Sequence, residues 1–293
     1  MELRSLRYFL TVAETLSISS AAIALNITQP TLSRQLKQLE LELGAELFKR
    51  ESSGIVLTEE GMFLKNRAAE ILTLTNHTQQ AFADKLDDEL RGHISIGCVE
   101  ADNSDTLAMI LEELVTDYPS ITFNLYSGTS DDIIEKLDKG LIDIAILLEP
   151  ITLKNYEKIA LPRTEQWGLL VSDDSPLYDY HMIKPNRLSQ ASLLMSARIE
   201  VQQMIAKWCG IHVDELNIRG TYNLIFNILD LVKENVGSAL LIEGAISNIK
   251  LDNQLKFIPL EPSIKTNCIL TWKKSRVLTP VLELFINKFK ELT

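Results

Sequence analysis

Histidine and cysteine are scarce in this chain of 293 residues, with four of the first and three of the second. Cys98, Cys209 and Cys268 are odd in number, lie far apart and form no CxxC pair. That excludes a disulfide framework and makes a reducing cytoplasm the expected compartment. His77, His93, His181 and His212 are scattered as widely, and no metal-ligand spacing, Ser/His/Asp set or glycine-rich phosphate loop can be assembled. Neither an enzyme nor a resident cofactor or metal is expected. Long apolar runs are also missing. None approaches the roughly 20 residues that cross a bilayer, and the longest, LIDIAILL and GSALLI, suit buried strands. The opening MELRSLRYFLTVAETLS carries polar residues every few positions and no small-residue cleavage site, so it is not a secretory signal.

Positive charge is in short supply too. There are 29 Lys/Arg against 40 Asp/Glu, a net charge of -11 and a pI near 5.0. Such a balance excludes binding of nucleic acid over the whole surface. The charge is segregated, however. Residues 1–58 hold six basic and six acidic side chains, whereas residues 93–293 hold 19 against 27. A local, neutral reader of nucleic acid remains open. With 46% hydrophobic and 24% charged residues the composition is that of a globular protein, and the length suits two or three folding units.

Three amphipathic helices are predicted before residue 45. The first places Leu3, Leu6, Leu10 and Ala13 at spacings of three and four, beside Phe9. The second follows Ser17 as N-cap and runs through ISSAAIAL to Asn26, a residue suited to a left-handed end. The third starts at Thr28, another N-cap, with Pro30 in the first turn where a missing N–H costs nothing. Leu32, Leu36, Leu39 and Leu43 form its apolar stripe and Gly44 ends it. The opposite face shows Gln29, Thr31, Ser33, Arg34, Lys37 and Gln38. Gln and Arg can pair with adenine and guanine edges, and Ser, Thr and Lys suit phosphates. The short turn NIT between helices two and three makes a helix-turn-helix. After it, LFKR-ESSGI-VLT reads as a β-hairpin wing, with Lys49 and Arg50 placed for a backbone phosphate. The predicted DNA-binding set is therefore Thr28, Gln29, Pro30, Thr31, Ser33, Arg34, Lys37, Lys49 and Arg50.

The stretch LRYFLTVAETLSISSAAIALNITQPTLSRQLKQLELELGAELFKR resembles the N-terminal domain of LysR-type transcriptional regulators. The pattern F..VAE..S...AA..L..SQP.LSRQI..LE..LG..LF.R is matched from Phe9 through Arg50, and the likeness continues through LTEEG, Leu57 to Gly61. Thr28 and Leu36 replace the usual Ser and Ile. From Thr58 to about Asp88 the chain is helix-compatible, with Leu64, Ala68, Ile71, Phe82 and Leu86 on one stripe, weakened by Thr75 and Thr78. A helix of about 30 residues would run roughly 45 Å. The resemblance implies that it pairs antiparallel with the same helix of a second subunit, rather than packing wholly on its own domain.

Beyond it, strands alternate with helices. HISIGCV, ITFNLYSG and LIDIAILL are strands, separated by the helices NSDTLAMILEELVTDYP and SDDIIEKLDKG. A second series has the strands WGLLV, LNIRGTY and GSALLI, with helices near VQQMIAKWCG and at NLIFNILDLVKENV. The chain returns with CILTWKK and closes on TPVLELFINKFKEL. Such alternation predicts a parallel sheet with right-handed crossovers. The resemblance implies an effector-binding domain similar to periplasmic binding proteins. The expected organisation is a winged helix-turn-helix over 1–58, a linker or dimerisation helix over 59–90, and an α/β effector domain over 91–293. Its subdomain I takes 91–162 and 266–293, and subdomain II takes 163–265.

In such folds ligands bind at the carboxyl ends of strands, next to helix N-termini. This selects Val99, Glu100 and Asp102 after the first strand, Gly128 and Thr129 after the second, and Glu149 after the third. Ser196 and Arg198 after SLLM, and Tyr222 and Asn223 after NIRGT, complete the set. The effector-contact set is thus Val99, Glu100, Thr129, Glu149, Ser196, Arg198, Tyr222 and Asn223. The helix entrances hold Asp102, Asp105, Asp131 and Asp132, with Arg198 facing them. These acids either complement helix dipoles or make a cleft that disfavours small dianions and accepts a neutral, cationic or zwitterionic effector. What the resemblance implies is a cytoplasmic regulator, a dimer of dimers on double-stranded promoter DNA, that contacts RNA polymerase and is gated by an unidentified small molecule. Competing readings are a periplasmic-type solute-binding protein without DNA function and a regulator that senses oxidants through Cys98 or Cys268.

Overall fold

A computed structural model describes residues 1–51, 54–83, 90–101, 104–251 and 253–292, with the backbone alone described at 50, 51, 80, 81 and 83. The chain divides into two compact units, Met1–Leu86 and Asp87–Thr293.

The first unit is built from α1 (Leu3–Thr15), α2 (Ile18–Ala24), α3 (Gln29–Leu43), β1 (Phe48–Glu51), β2 (Gly54–Leu57) and α4 (Glu59–Ala83). Local chemistry sets the helix ends. Ser17 Oγ accepts from the Ser20 amide at 3.2 Å, and Thr28 Oγ1 accepts from the Thr31 amide at 3.4 Å. Asn26 takes φ 51°, and Gly44 closes α3 at φ 66°. Leu6, Phe9, Val12, Ala13, Ala21, Ala22, Leu32, Leu36, Leu39 and Leu47 pack into one core with Leu64, Ala68 and Leu72 of α4. Two stripe positions differ from expectation. Leu3 and Leu43, in the first turn of α1 and the last turn of α3, are 46% and 41% exposed. In α4 the buried line is Leu64, Ala68 and Leu72, and Phe82 is exposed. The expected linker residues Leu86 and Asp88, and the Ser52–Ser53 turn of the hairpin, lie outside the described residues. β1 and β2 pair antiparallel with Phe48 opposite Leu57. Thr58 caps α4 through the Gly61 amide at 2.9 Å while donating to the Glu46 carbonyl at 2.7 Å. A side chain on Gly61 would collide with the Leu47 carbonyl, so the third residue after the cap must be bare.

The second unit holds one mixed sheet. Its elements are β3 (Gly92–Cys98), α5 (Ser104–Asp117), β4 (Ile121–Ser127), α6 (Ser130–Asp138), β5 (Ile144–Leu148), β6 (Tyr156–Ser172), α7 (Pro185–Leu188), β7 (Leu193–Ser196), α8 (Ile199–Cys209), β8 (Ile218–Tyr222), α9 (Phe226–Lys233), β9 (Ser238–Ile242), β10 (Leu255–Pro259), β11 (Lys265–Lys273) and α10 (Pro280–Glu291). The strand order is β4-β3-β5-β11-β6-β9-β7-β8, with β10 on β6. The triplets β4-β3-β5 and β8-β7-β9 are parallel inside, as the strand–helix alternation predicts. Between them β11 and β6 run antiparallel to their neighbours, which corrects the expectation of a wholly parallel sheet. The segment expected as the short strand WGLLV is the end of a 17-residue strand. β6 pairs first with β11 and then with β9 and β10, so it passes from one lobe into the other. The late strand β11 also pairs with β5, returning the chain to the first lobe, where α10 packs on α5 and β3. β10, bounded only by loops, had no signal in the alternation. No described helix is long and apolar enough to cross a membrane.

Candidate functional site

In the first unit the buried Leu32, Leu36 and Leu39 hold α3 down, and the 3.6-residue period turns the intervening side chains outward. Thr28, Gln29, Pro30, Thr31, Arg34 and Lys37 are exposed and Ser33 is half-buried. The helix start is ordered by its own hydroxyls, with Thr28 Oγ1 and Thr31 Oγ1 2.8 Å apart. Across the turn, Ser19 Oγ donates to Gln29 Oε1 at 3.4 Å, linking α2 to the first residue of α3. Glu40 faces the other way, and its Oε1 accepts from the Leu47 amide at 2.8 Å where the chain enters the hairpin. Lys49 is exposed on β1. The side chain of Arg50 lies outside the described residues. Arg34, Lys37 and Lys49 form no ion pair among the described residues, so the three charges are open to solvent.

In the second unit the parallel strands of both triplets send their carboxyl ends toward one cavity of about 100 Å³. Its lining includes Val99, Glu100, Thr129, Ser196, Arg198, Tyr222 and Asn223, seven of the eight positions selected from the sequence, and also Gly128. Glu149 is not brought to it. Glu149 Oε2 accepts from Asn267 Nδ2 at 3.0 Å and its amide donates to the Asn267 carbonyl at 3.0 Å, fixing β5 to the irregular part of β11. Asp102 is outside the described residues. Sequence reasoning passed over Trp167 and the run Leu240–Ile242, which form an apolar wall. They read as buried strand residues, and only their place at the strand ends marks them as lining.

Two side chains that line the cavity, Arg198 and Glu100, reach across to the opposite lobe. Arg198, 8% exposed and at the N-terminal end of α8, donates through Nη1 to the Leu148 carbonyl at 3.4 Å and through Nη2 to the Pro150 carbonyl at 2.8 Å. Its Nε lies 3.3 Å from Asp131 Oδ1 without the alignment of a hydrogen bond, so the contact is between charges only. In the other direction Glu100 Oε2 accepts from the Ile225 amide at 3.0 Å. Ile225 precedes α9, which has no capping side chain of its own, so an acid from the opposite lobe sits at that helix terminus.

The remaining acids at the helix entrances are engaged locally. Asp132 and Thr129 form a reciprocal capping box on α6, with Oδ2 accepting from Thr129 Oγ1 at 2.7 Å. Asp105 pairs with Arg163. Burial, and then the charge of Glu100, push the Tyr222 hydroxyl well above its ordinary range, and it donates to the Leu240 carbonyl at 2.7 Å. The same two causes push the Cys98 thiol up to about 12, and burial pushes Cys209 up to about 11.

Residues 3–62 match the family model described as bacterial regulatory helix-turn-helix protein, lysR family, and residues 87–293 match the LysR substrate binding domain. The chain is 30% identical over 266 residues to the HTH-type transcriptional regulator YtlI of Bacillus subtilis (strain 168), covering 89% of this chain and 83% of that protein. It is 26% identical over 267 residues to the hydrogen peroxide-inducible genes activator of Haemophilus influenzae, covering 90% and 88%. Among solved structures, full-length CbnR complexed with its target DNA superposes with a TM-score of 0.76 at 22% identity over 100% of both chains.

Proposed function

Because the chain belongs to the LysR family of helix-turn-helix transcriptional regulators, we propose that it is a cytoplasmic, homo-oligomeric promoter switch, not an enzyme, worked by a small effector in the cavity between its lobes. The working division is a DNA-reading domain over 1–58, a dimerisation helix over 59–90 and an effector domain over 91–293. Within the last, 91–162 with 266–293 faces 163–265 across the cleft. The observation that carries the reading is the convergence of seven strand-end residues on one cavity whose two halves are joined by side chains, Arg198 and Glu100.

The DNA contacts we assign are Thr28, Gln29, Pro30, Thr31, Ser33, Arg34 and Lys37 on α3 and Lys49 and Arg50 on the wing, with Gln29 and Arg34 facing base edges. One such helix, in a locally neutral segment, binds weakly. Two copies about 34 Å apart would read a pseudo-palindrome with additive contacts. Supporting a dimer, α4 leaves Met62, Phe63 and Leu74 exposed away from its buried line Leu64, Ala68 and Leu72, and Phe82 exposed near its end. The edge strand β4, with Phe123 and Leu125 exposed, supplies a second apolar surface suited to joining dimers. An effector that binds one lobe arrangement better than another shifts the population of the two, and the DNA-bound assembly and its contact with RNA polymerase follow.

Genome-wide mapping of bound sites by the intact protein, followed by footprinting on the strongest site, tests the DNA half. Footprints centred on paired half-sites are expected. The effector half is tested by whether small molecules that raise the melting temperature also change the footprint. Ligands that stabilise the protein and leave the footprint unchanged would remove the switch.

A further inference from the structure

The cavity carries a charge arrangement that selects its ligand, and the inference from it rests on the effector-cleft reading above. A ligand carboxylate entering this cleft finds most of its natural partners engaged. The amide at the start of α9 is bonded to Glu100, and the start of α6 is closed by the Thr129–Asp132 box. Arg198 spends both Nη atoms on carbonyls, and its Nε, which has no hydrogen-bond partner, already faces the charge of Asp131. α8 lacks a capping side chain, but its first turn already holds Glu200. Glu100 itself is different. One oxygen holds Ile225, and the other has no hydrogen-bond partner among the described residues. This carboxylate lines a cavity whose apolar wall includes Val99, Leu148, Trp167, Val201 and Ile242 and whose polar wall includes Thr129, Ser196, Arg198 and Asn223.

We propose that the cleft takes a small primary ammonium compound, its nitrogen on the Glu100 oxygen that Ile225 does not engage and its short carbon chain among the apolar walls. An ammonium gives that oxygen a charge-assisted bond and leaves the Ile225 contact in place, so binding strengthens the link between the lobes. Trp167 and Tyr222 add aromatic surface that tolerates a cation. A carboxylate taking the Ile225 amide would have to displace Glu100 and then lie beside it, and one reaching for Arg198 Nε would meet Asp131. Size narrows the class further. At about 100 Å³ the cavity is smaller than the ~150 Å³ that accommodates a benzene ring, which favours a ligand with fewer non-hydrogen atoms than benzene.

The test is calorimetry on the full-length protein with n-butylammonium chloride and with sodium butyrate. The proteins compared are the wild type, Glu100→Gln and Ser196→Trp, each first shown to melt cooperatively. Gln keeps an acceptor for Ile225 and removes the charge, while Trp at 196 fills the cavity. The expected result is wild-type binding of butylammonium at least tenfold tighter than butyrate, weakened at least tenfold by Glu100→Gln and abolished by Ser196→Trp. Butyrate binding as tightly as butylammonium, no amine binding at tens of millimolar, or amine binding indifferent to Glu100→Gln overturns the amine class. Carboxylates that bind and are blocked by Ser196→Trp would overturn the amine class and keep the effector cleft. Ligands that alter DNA binding equally in Ser196→Trp and wild type would overturn the cleft itself.

Discussion

Arg198 Nη2 donates to the Pro150 carbonyl at 2.8 Å, so a single buried side chain ties the start of α8 to the segment leaving β5 in the opposite lobe. Its fork makes a second bond at Leu148, and neither carbonyl can be reached in the same way by an ammonium on a flexible stem. Arg198→Met is expected to lower stability by about 1–3 kcal/mol, because the carbonyls lose a charged donor while partly shielded from water. Arg198→Lys should recover only part of that. Urea titration of the second unit's tryptophan fluorescence measures it, and an unchanged midpoint in Arg198→Met would remove the tie.

On α3 the proposed base and phosphate contacts differ in what they predict. Arg34→Ala is expected to cost about 1–3 kcal/mol of binding free energy and to relax preference at one base position of the half-site. Lys37→Ala is expected to weaken all sequences alike and to lower the salt dependence of binding by about 0.9 per subunit in a log–log plot. Competition titrations with single-base variants of the site, at several salt concentrations, separate the two. A uniform loss for Arg34→Ala would make it a phosphate contact.

The helix-turn-helix was legible because its signals are local. Ser17, Thr28, Asn26 and Gly44 each act on amides or carbonyls within a few residues, and a short window of sequence contains both partners. The strand-end residues of the cleft were legible for a related reason, since alternation of strand and helix says where each carboxyl end falls. What stayed hidden depends on distant pairings. The reversal of direction at β11 and β6 is decided by ladders joining positions about a hundred residues apart. Glu100 and Ile225 are separated by 125 positions, so nothing near Glu100 announces that it serves the helix of the other lobe. Glu149 failed for the same reason, because its partner Asn267 comes from the last strand.

Two leucines on α3 had equal claims by spacing and have unequal surroundings. Leu32 is fully enclosed by the first unit's core, whereas Leu43 is 41% exposed on the last turn. Leu32→Ala is expected to destabilise that unit by about 2–5 kcal/mol through lost transfer energy and an unfilled cavity. Leu43→Ala should cost no more than about 0.5 kcal/mol, since it leaves no void. Denaturant unfolding followed by circular dichroism distinguishes them, and comparable losses would mean that Leu43 is covered in solution, most simply by a second subunit.

The thiols bear on whether oxidants act on this protein as its similarity to a peroxide-inducible activator invites one to ask. Cys98 and Cys268 stand in register with Ile146 and Leu148 of β5 from opposite sides, so their Cα atoms are two strand spacings apart, roughly 10 Å or more. A disulfide needs less than about 7 Å, so the sheet would have to be dismantled to join them. Reactivity is low as well. With the Cys98 thiol pushed up to about 12, about one molecule in ten thousand carries a thiolate at pH 8, and protons leave only as pH climbs toward 12. Cys209, raised to about 11 by burial, follows one unit earlier. Native protein treated with iodoacetamide at pH 7.5 is therefore expected to stay unmodified at Cys98 while denatured protein is alkylated throughout, and millimolar peroxide should leave DNA affinity within twofold. Rapid alkylation of native Cys98 at neutral pH, with a matching change in DNA binding, would restore the oxidant-sensing reading and place the switch in the first lobe instead of the cleft.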